Sequence, residues 1–255
     1  MSETTTIERD PMVGYERARR NKHVNQRKFN TTYGKFVFAT GTDHEDNELN
    51  TNLTHVYYDG PWLREIPVGI RNRMAKLRWI DCGTKTGWFP FKLVHGLMPK
   101  VVYAFESSPS RFSFLRKNHS QNDRNGVIAS IFKHLVIKKE YGIHNTEINI
   151  DTETGYASVD GTERAIVPLA EFGDFVTKHN INAVRFDFGG YEKELLLNAN
   201  LKGFKMVLAV IEEKHYSKKE MNKLKKKLNN LFVVKYNLEE EGIVRIMAYK
   251  KEMIA

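Results

Sequence analysis

Leu77-Arg78-Trp79-Ile80-Asp81-Cys82-Gly83-Thr84-Lys85-Thr86-Gly87-Trp88-Phe89, followed after a helical segment by Val101-Val102-Tyr103-Ala104-Phe105-Glu106-Ser107, decides the fold. A short apolar run ending in Asp81-Cys82-Gly83 is a strand that stops at a glycine. Gly87, four residues later, lets a turn pass close to a ligand before a helix over 88–97. The second strand, 101–105, closes with Glu106 roughly 20 residues beyond the loop. An acidic side chain at a strand's carboxyl end there accepts both hydroxyls of a ribose. Gly83 and Gly87 bracket three residues and do not give G-x-G-x-x-G, which disfavours a pyrophosphate loop. The expected ligand is an adenosine without pyrophosphate, and S-adenosylmethionine (SAM) is the common one.

Composition sets the bounds. At 255 residues, 41% hydrophobic and 28% charged, the chain can bury a full core, most simply as one α/β domain with an extension. The lone cysteine, Cys82, excludes an intramolecular disulfide and a cysteine cluster for zinc, and favours a reducing, cytoplasmic setting. No apolar run approaches the ~20 residues needed to span a bilayer, and the N-terminus is polar where a signal peptide is apolar. The net charge of +9 points to an anionic partner such as nucleic acid, a phosphorylated glycan or a membrane surface. Equally, it reads as excess lysine that keeps the chain soluble.

Two segments are expected, an N-terminal extension over 1–60 and the main domain over 61–255. In the first, Arg17, Arg19, Arg20, Lys22, Arg27 and Lys28 form a basic arm, and strands over 35–40 and 54–58 form a small pair. In the second, short strands alternate with helices. The third strand region covers 127–137, and a polar excursion covers 151–161. Strands follow at 183–188 and 206–211, then a helix capped by Ser217 and Glu220, with Met221, Leu224, Leu228 and Leu231 inward and lysines outward. Strands over 233–238 and 243–249 close the chain. This order implies a mostly parallel sheet with a C-terminal antiparallel hairpin.

Ile80-Asp81-Cys82-Gly83-Thr84-Lys85-Thr86-Gly87 together with Tyr103-Ala104-Phe105-Glu106-Ser107-Ser108-Pro109 resembles the SAM site of the FkbM-type methyltransferases, D-x-G-A-N-x-G followed by Y-A-F-E-P-x-P. Phe112, Leu115, Asn118 and Asn122 continue it, and Arg185-Phe186-Asp187-Phe188-Gly189-Gly190-Tyr191-Glu192 resembles that family's K-I-D-V-E-G-x-E. The resemblance covers roughly 77–213. It departs at Lys85 for asparagine, Arg185 for lysine and Gly189 for an acidic residue. It implies the Rossmann-like seven-stranded SAM-dependent methyltransferase fold, SAM as cofactor, and O-methylation of a sugar or other small hydroxyl compound.

The cofactor candidates are Asp81, Gly83, Thr84, Gly87, Glu106 and Ser107, with Glu106 on the ribose and Asp81 either shaping the loop or near the methionine amino group. Asp187 is the candidate base, with capping of the next helix or binding of the SAM amino group as its other reading. His215 is a second base candidate. Asp187, Lys214 and Glu241 also lie where RNA ribose 2′-O-methyltransferases of the FtsJ type carry three members of a Lys-Asp-Lys-Glu tetrad, in which a neutral lysine deprotonates the ribose. That makes RNA an alternative acceptor, with the basic arm on phosphate. A binding module that keeps the fold without catalysis is the third reading. No histidine–carboxylate spacing resembles a metal site, so no metal is expected.

Overall fold

The computed structural model describes residues 25–31, 34–40, 68–123, 126–238 and 242–254. In chain order, strands β1 (Asn25–Thr31) and β2 (Gly34–Thr40) precede helix α1 (Val68–Met74). Then come β3 (Arg78–Cys82), α2 (Trp88–Leu97), β4 (Val101–Glu106), α3 (Pro109–Asn122) and β5 (Ile128–Phe132). A small unit follows, of β6 (His134–Val136), β7 (Asn145–Ile150) and β8 (Glu163–Glu171). The chain returns through α4 (Phe172–Lys178), β9 (Ala183–Phe186), α5 (Glu192–Asn198) and β10 (Met206–Glu212). It ends with α6 (Lys218–Leu231), β11 (Val233–Leu238) and β12 (Ile243–Tyr249).

Seven strands form one sheet in the order β11-β12-β10-β9-β3-β4-β5. The neighbours from β10 to β5 are parallel, and β12 runs antiparallel between β10 and β11. This is the Rossmann-like seven-stranded architecture, and its C-terminal hairpin is inserted at the sheet edge. Strand order reverses between β3 and β9, the place where open α/β sheets bind ligands.

Alternation along each buried strand serves two cores. Trp79, Val102, Ala104, Leu208 and Met247 face α2 and α3, where they meet Phe89, Phe91, Phe112 and Leu115. Ile80, Phe105, Val207, Ala209 and Ile246 face the other layer, against Leu195, Leu196, Leu224 and Leu228 of α5 and α6. Each fully buried side chain of this size contributes roughly 1.5–3 kcal/mol. Ser108 caps α3, with Pro109 in its first turn, and Ser217 with Glu220 forms a capping box on α6.

Two expectations change. The small strand pair joins 34–40 to 25–31, so Arg27 and Lys28 belong to a β-strand rather than to an irregular arm, while 54–58 and the remaining arm residues lie outside the described residues. The third strand region divides: β5 stays in the main sheet, and β6 joins β8 and β7 in a separate three-stranded sheet. Strand β10 ends at Glu212, and a 3-10 turn over Glu213–His215 follows it. Among the described residues no helix is long and apolar enough to cross a membrane.

Candidate active site

The loop after β3 is built by close backbone contact. Gly83 and Thr84 both donate their amides to the Phe105 carbonyl at 3.0 Å, and the Asp187 amide donates to the Cys82 carbonyl at 2.9 Å. Gly83 has φ +79°, and a Cβ there would lie 1.9 Å from the Asp187 carbonyl oxygen. Gly87 has φ +94° and packs against Leu115 and Phe91. Both glycines are therefore required by the packing of this chain itself.

Glu106 ends β4 almost fully buried. Its two oxygens accept the Lys85 amide at 2.8 Å and the Ser108 amide at 2.7 Å, which ties the β3 loop to the start of α3. Burial raises its pKa to about 7, against the lowering effect of those amides and of the Lys85 charge. The unfolded chain ionises this group near 4.5, so the folded state holds the extra proton between about pH 4.5 and 7. Stability from this group falls as pH rises through that window.

In register across the sheet, Asp81 lies opposite Arg185. The Arg185 guanidinium donates to Asp81 at 2.9 Å and to Asp187, and it stacks 4.7 Å from the Phe89 ring centre and 5.2 Å from that of Trp88. Lys85 turns inward, 3.4 Å from the Asp187 carboxylate and 5.0 Å from the Tyr156 ring centre. The two carboxylates diverge for a physical reason. Burial pushes Asp81 up despite Arg185. At Asp187 burial acts the same way, but Lys85 and Arg185 together outweigh it and hold the group below the usual range. Asp187 is thus a paired carboxylate and a weak base.

These groups open into a cleft of about 250 Å³. Gly83, Lys85, Glu106 and Asp187 line one side, and Tyr156 and Ser158 of the 151–161 excursion line the other. Asp160, Glu212 and Lys214 line it as well. The volume lies just under the roughly 300–1,000 Å³ of ordinary small-molecule pockets. The excursion also accounts for the glycine at position 189. Gly189, at φ +59°, donates no side chain because a Cβ there would lie 2.3 Å from the Ala157 carbonyl oxygen, and its own carbonyl accepts the Val159 amide at 2.9 Å. An acidic residue at 189 has no room under this strap.

Lys214 pairs with Asp160 at 2.8 Å and with Glu212 at 2.9 Å, and these hydrogen bonds raise its pKa, which keeps the ammonium charged. A lysine must be neutral to act as a base, so this arrangement makes Lys214 a donor and an anchor. His215 Nε2 lies 2.9 Å from the same Asp160 oxygen. Asp160, Glu212 and His215 bring ligand atoms within 4.8 Å of one another and could hold a cation. No spacing in the sequence announces that group, because Asp160 comes from the excursion. The cation seen among them is the Lys214 ammonium. Glu241 lies outside the described residues.

Of the cofactor candidates, then, Gly83 and Glu106 line the cleft, while Asp81, Thr84, Gly87 and Ser107 are buried beneath or beside it. Of the catalytic candidates, Asp187 and Lys214 line it. Sequence reading missed Tyr156, Asp160 and Glu212, and it missed the clamp made by Arg185. The clamp had a signal: an arginine inside the apolar run 183–188 must find buried acidic partners.

No protein-family model matches the chain, and no curated protein matches its sequence. Among solved structures it is similar to an uncharacterized protein from Listeria monocytogenes serotype 4b, with 13% identity over 76% of this chain and 68% of that one, at a TM-score of 0.43. It is similar to M. capricolum TrmK in complex with S-adenosyl-homocysteine, at 13% identity, 73% and 69% coverage and a TM-score of 0.42. Against M. jannaschii TYW2 in complex with AdoMet the values are 13%, 89%, 85% and 0.40. At such identities and scores none of them assigns a substrate or a cofactor to this chain.

Proposed function

We propose that this chain is a SAM-dependent methyltransferase of the FkbM type that methylates a hydroxyl of a sugar or other small molecule. The observation that supports it best is Glu106, an acidic residue at the end of the strand beside the switch point, lining the same cleft as Asp187. A carboxylate oxygen has two acceptor positions, so Glu106 can hold its two amides and still take the hydroxyls of a ribose. SAM, when bound, supplies an electrophilic methyl group and needs no Lewis acid. The protein's work is then to exclude water and to align the acceptor oxygen. Asp187, kept ionised by Lys85 and Arg185, would orient the acceptor hydroxyl by accepting its hydrogen bond and, as a weak base, take up the proton only as the oxygen gains the methyl group. Tyr156 and the rest of the 151–161 strap wall the cleft from solvent.

The test is calorimetric binding of SAM and of its neutral product S-adenosylhomocysteine. Glu106→Ala removes a charged acceptor of one or two hydrogen bonds and should weaken both ligands by about 1.5–3 kcal/mol for each bond lost. In the unmodified chain both affinities should rise as pH passes upward through about 7, where Glu106 ionises. Equal affinity in the variant, together with a flat pH profile, would refute the ribose assignment. Lys85 makes a separate prediction. Its ammonium, turned into the cleft, opposes a sulfonium but not a thioether. Lys85→Asn should therefore improve SAM binding relative to S-adenosylhomocysteine. An unchanged ratio of the two affinities would show that Lys85 lies away from the sulfur.

A further inference from the structure

Helix α6 carries Lys218, Lys219, Lys223, Lys225 and Lys226 exposed on its outer side, with Asn222 among them and Asn229 and Asn230 exposed beyond them. Its apolar side, Met221, Leu224 and Leu228, is buried in the domain core. Lys227 turns away from this face and donates to the Leu196 and Ala199 carbonyls at 2.8 and 2.7 Å. The helix's acidic residue, Glu220, is engaged in the capping box and lies 3.4 Å from Lys193.

Such a distribution works against the helix itself. Lys218 and Lys219 stand in the first turn, where the macrodipole favours acids, and Lys219 and Lys223 are like charges one turn apart. Lys219, Lys223 and Lys226 follow at i, i+4 and i+7, one stripe of residues spaced about 6 and 4.5 Å along the axis. A row of cations at that pitch, with the Asn222 amide beside it to donate and accept, matches a repeating anion. A bilayer is the poorer match, because the apolar side that would insert is already in the core.

We propose that the outward face of α6 binds the phosphodiester backbone of a nucleic acid strand, with Lys219, Lys223 and Lys226 as its principal contacts. The helix begins just after the 3-10 turn Glu213–His215, so its first turn follows within a few residues of Glu212 and Lys214, which line the cleft. Resting on the methyltransferase reading above, the strand held there passes the cleft, and its ribose is the sugar whose hydroxyl is presented.

Fluorescence anisotropy of the full chain with a labelled single-stranded RNA, followed between about 50 and 200 mM salt, tests this. Replacing Lys219, Lys223 and Lys226 together by glutamate should lower the affinity at least about tenfold, and should flatten the log–log salt slope by about 2, at roughly 0.7 per lost phosphate contact. The same three positions replaced by glutamine should give the same flattening, with the helical circular dichroism unchanged, which separates lost contacts from lost folding. Unchanged RNA affinity in both variants overturns the proposal. So does binding to phosphatidylserine vesicles or polyglutamate as tight as to RNA. SAM calorimetry on the unmodified chain keeps the two readings apart. If SAM does not bind while the variants lose RNA, the α6 surface stands and the methyltransferase reading falls; SAM binding with RNA affinity untouched gives the reverse.

Discussion

Arg185→Met should destabilise the folded chain by about 3–5 kcal/mol, measured by urea unfolding near neutral pH, because it removes one partner of a buried ion cluster. Asp81 is fully buried, and its charged partner is Arg185 at 2.9 Å; Asp187 retains Lys85. The loss should shrink as pH falls. Asp81 already titrates above 3.8, and without Arg185 it rises further, so the folded variant takes up a proton at a pH where the unfolded chain does not. Adding Asp81→Asn to Arg185→Met should recover part of the stability by removing the stranded charge. A loss under about 1 kcal/mol, or one independent of pH, would mean that the cluster is hydrated and Arg185 is not its keystone.

Gly83→Ala should cost about 3 kcal/mol or more. A left-handed backbone accounts for roughly 1–2 kcal/mol of this and steric overlap for a further 1–3. The added Cβ would lie 1.9 Å from a backbone oxygen of Asp187, which cannot move without opening the β3–β9 junction. Gly142 provides an internal control, since it has the same φ of +79° but nothing within 4 Å of the position of its Cβ. Gly142→Ala should therefore show only the conformational part. Equal losses in the two variants would show that the backbone conformation, rather than the close approach of the two strands, makes Gly83 necessary.

Much of the architecture was legible because short buried strands and amphipathic helices advertise themselves by period. The helix over 88–97 ends where a left-handed Met98 and then Pro99 stop it, and the capping box at Ser217 starts α6 as its spacing requires. The β-rich pieces were less legible. Residues 127–137 form one continuous β-prone run, yet Phe132 and His134 belong to different sheets. Which sheet a strand joins depends on partners far away in sequence, and propensity does not encode that choice. The pairing of 34–40 with 25–31 rather than with a later run is the same failure at shorter range.

The candidate site divides along that line. By itself the sequence determined that a glycine loop follows β3, that Glu106 ends β4 and that Asp187 stands at the carboxyl end of the β9 segment, since each is a local statement about where an apolar run stops. Only the tertiary structure decided what those carboxylates do. Asp81 and Asp187 are 106 positions apart in numbering but share one arginine, because β3 and β9 are neighbours in the sheet. Lys214 is held charged because the 151–161 excursion delivers Asp160 to it, and Gly189 has no side chain because the same excursion lies on it. Charge state and available space depend on what surrounds a group in three dimensions, and residue types and spacing do not carry that information.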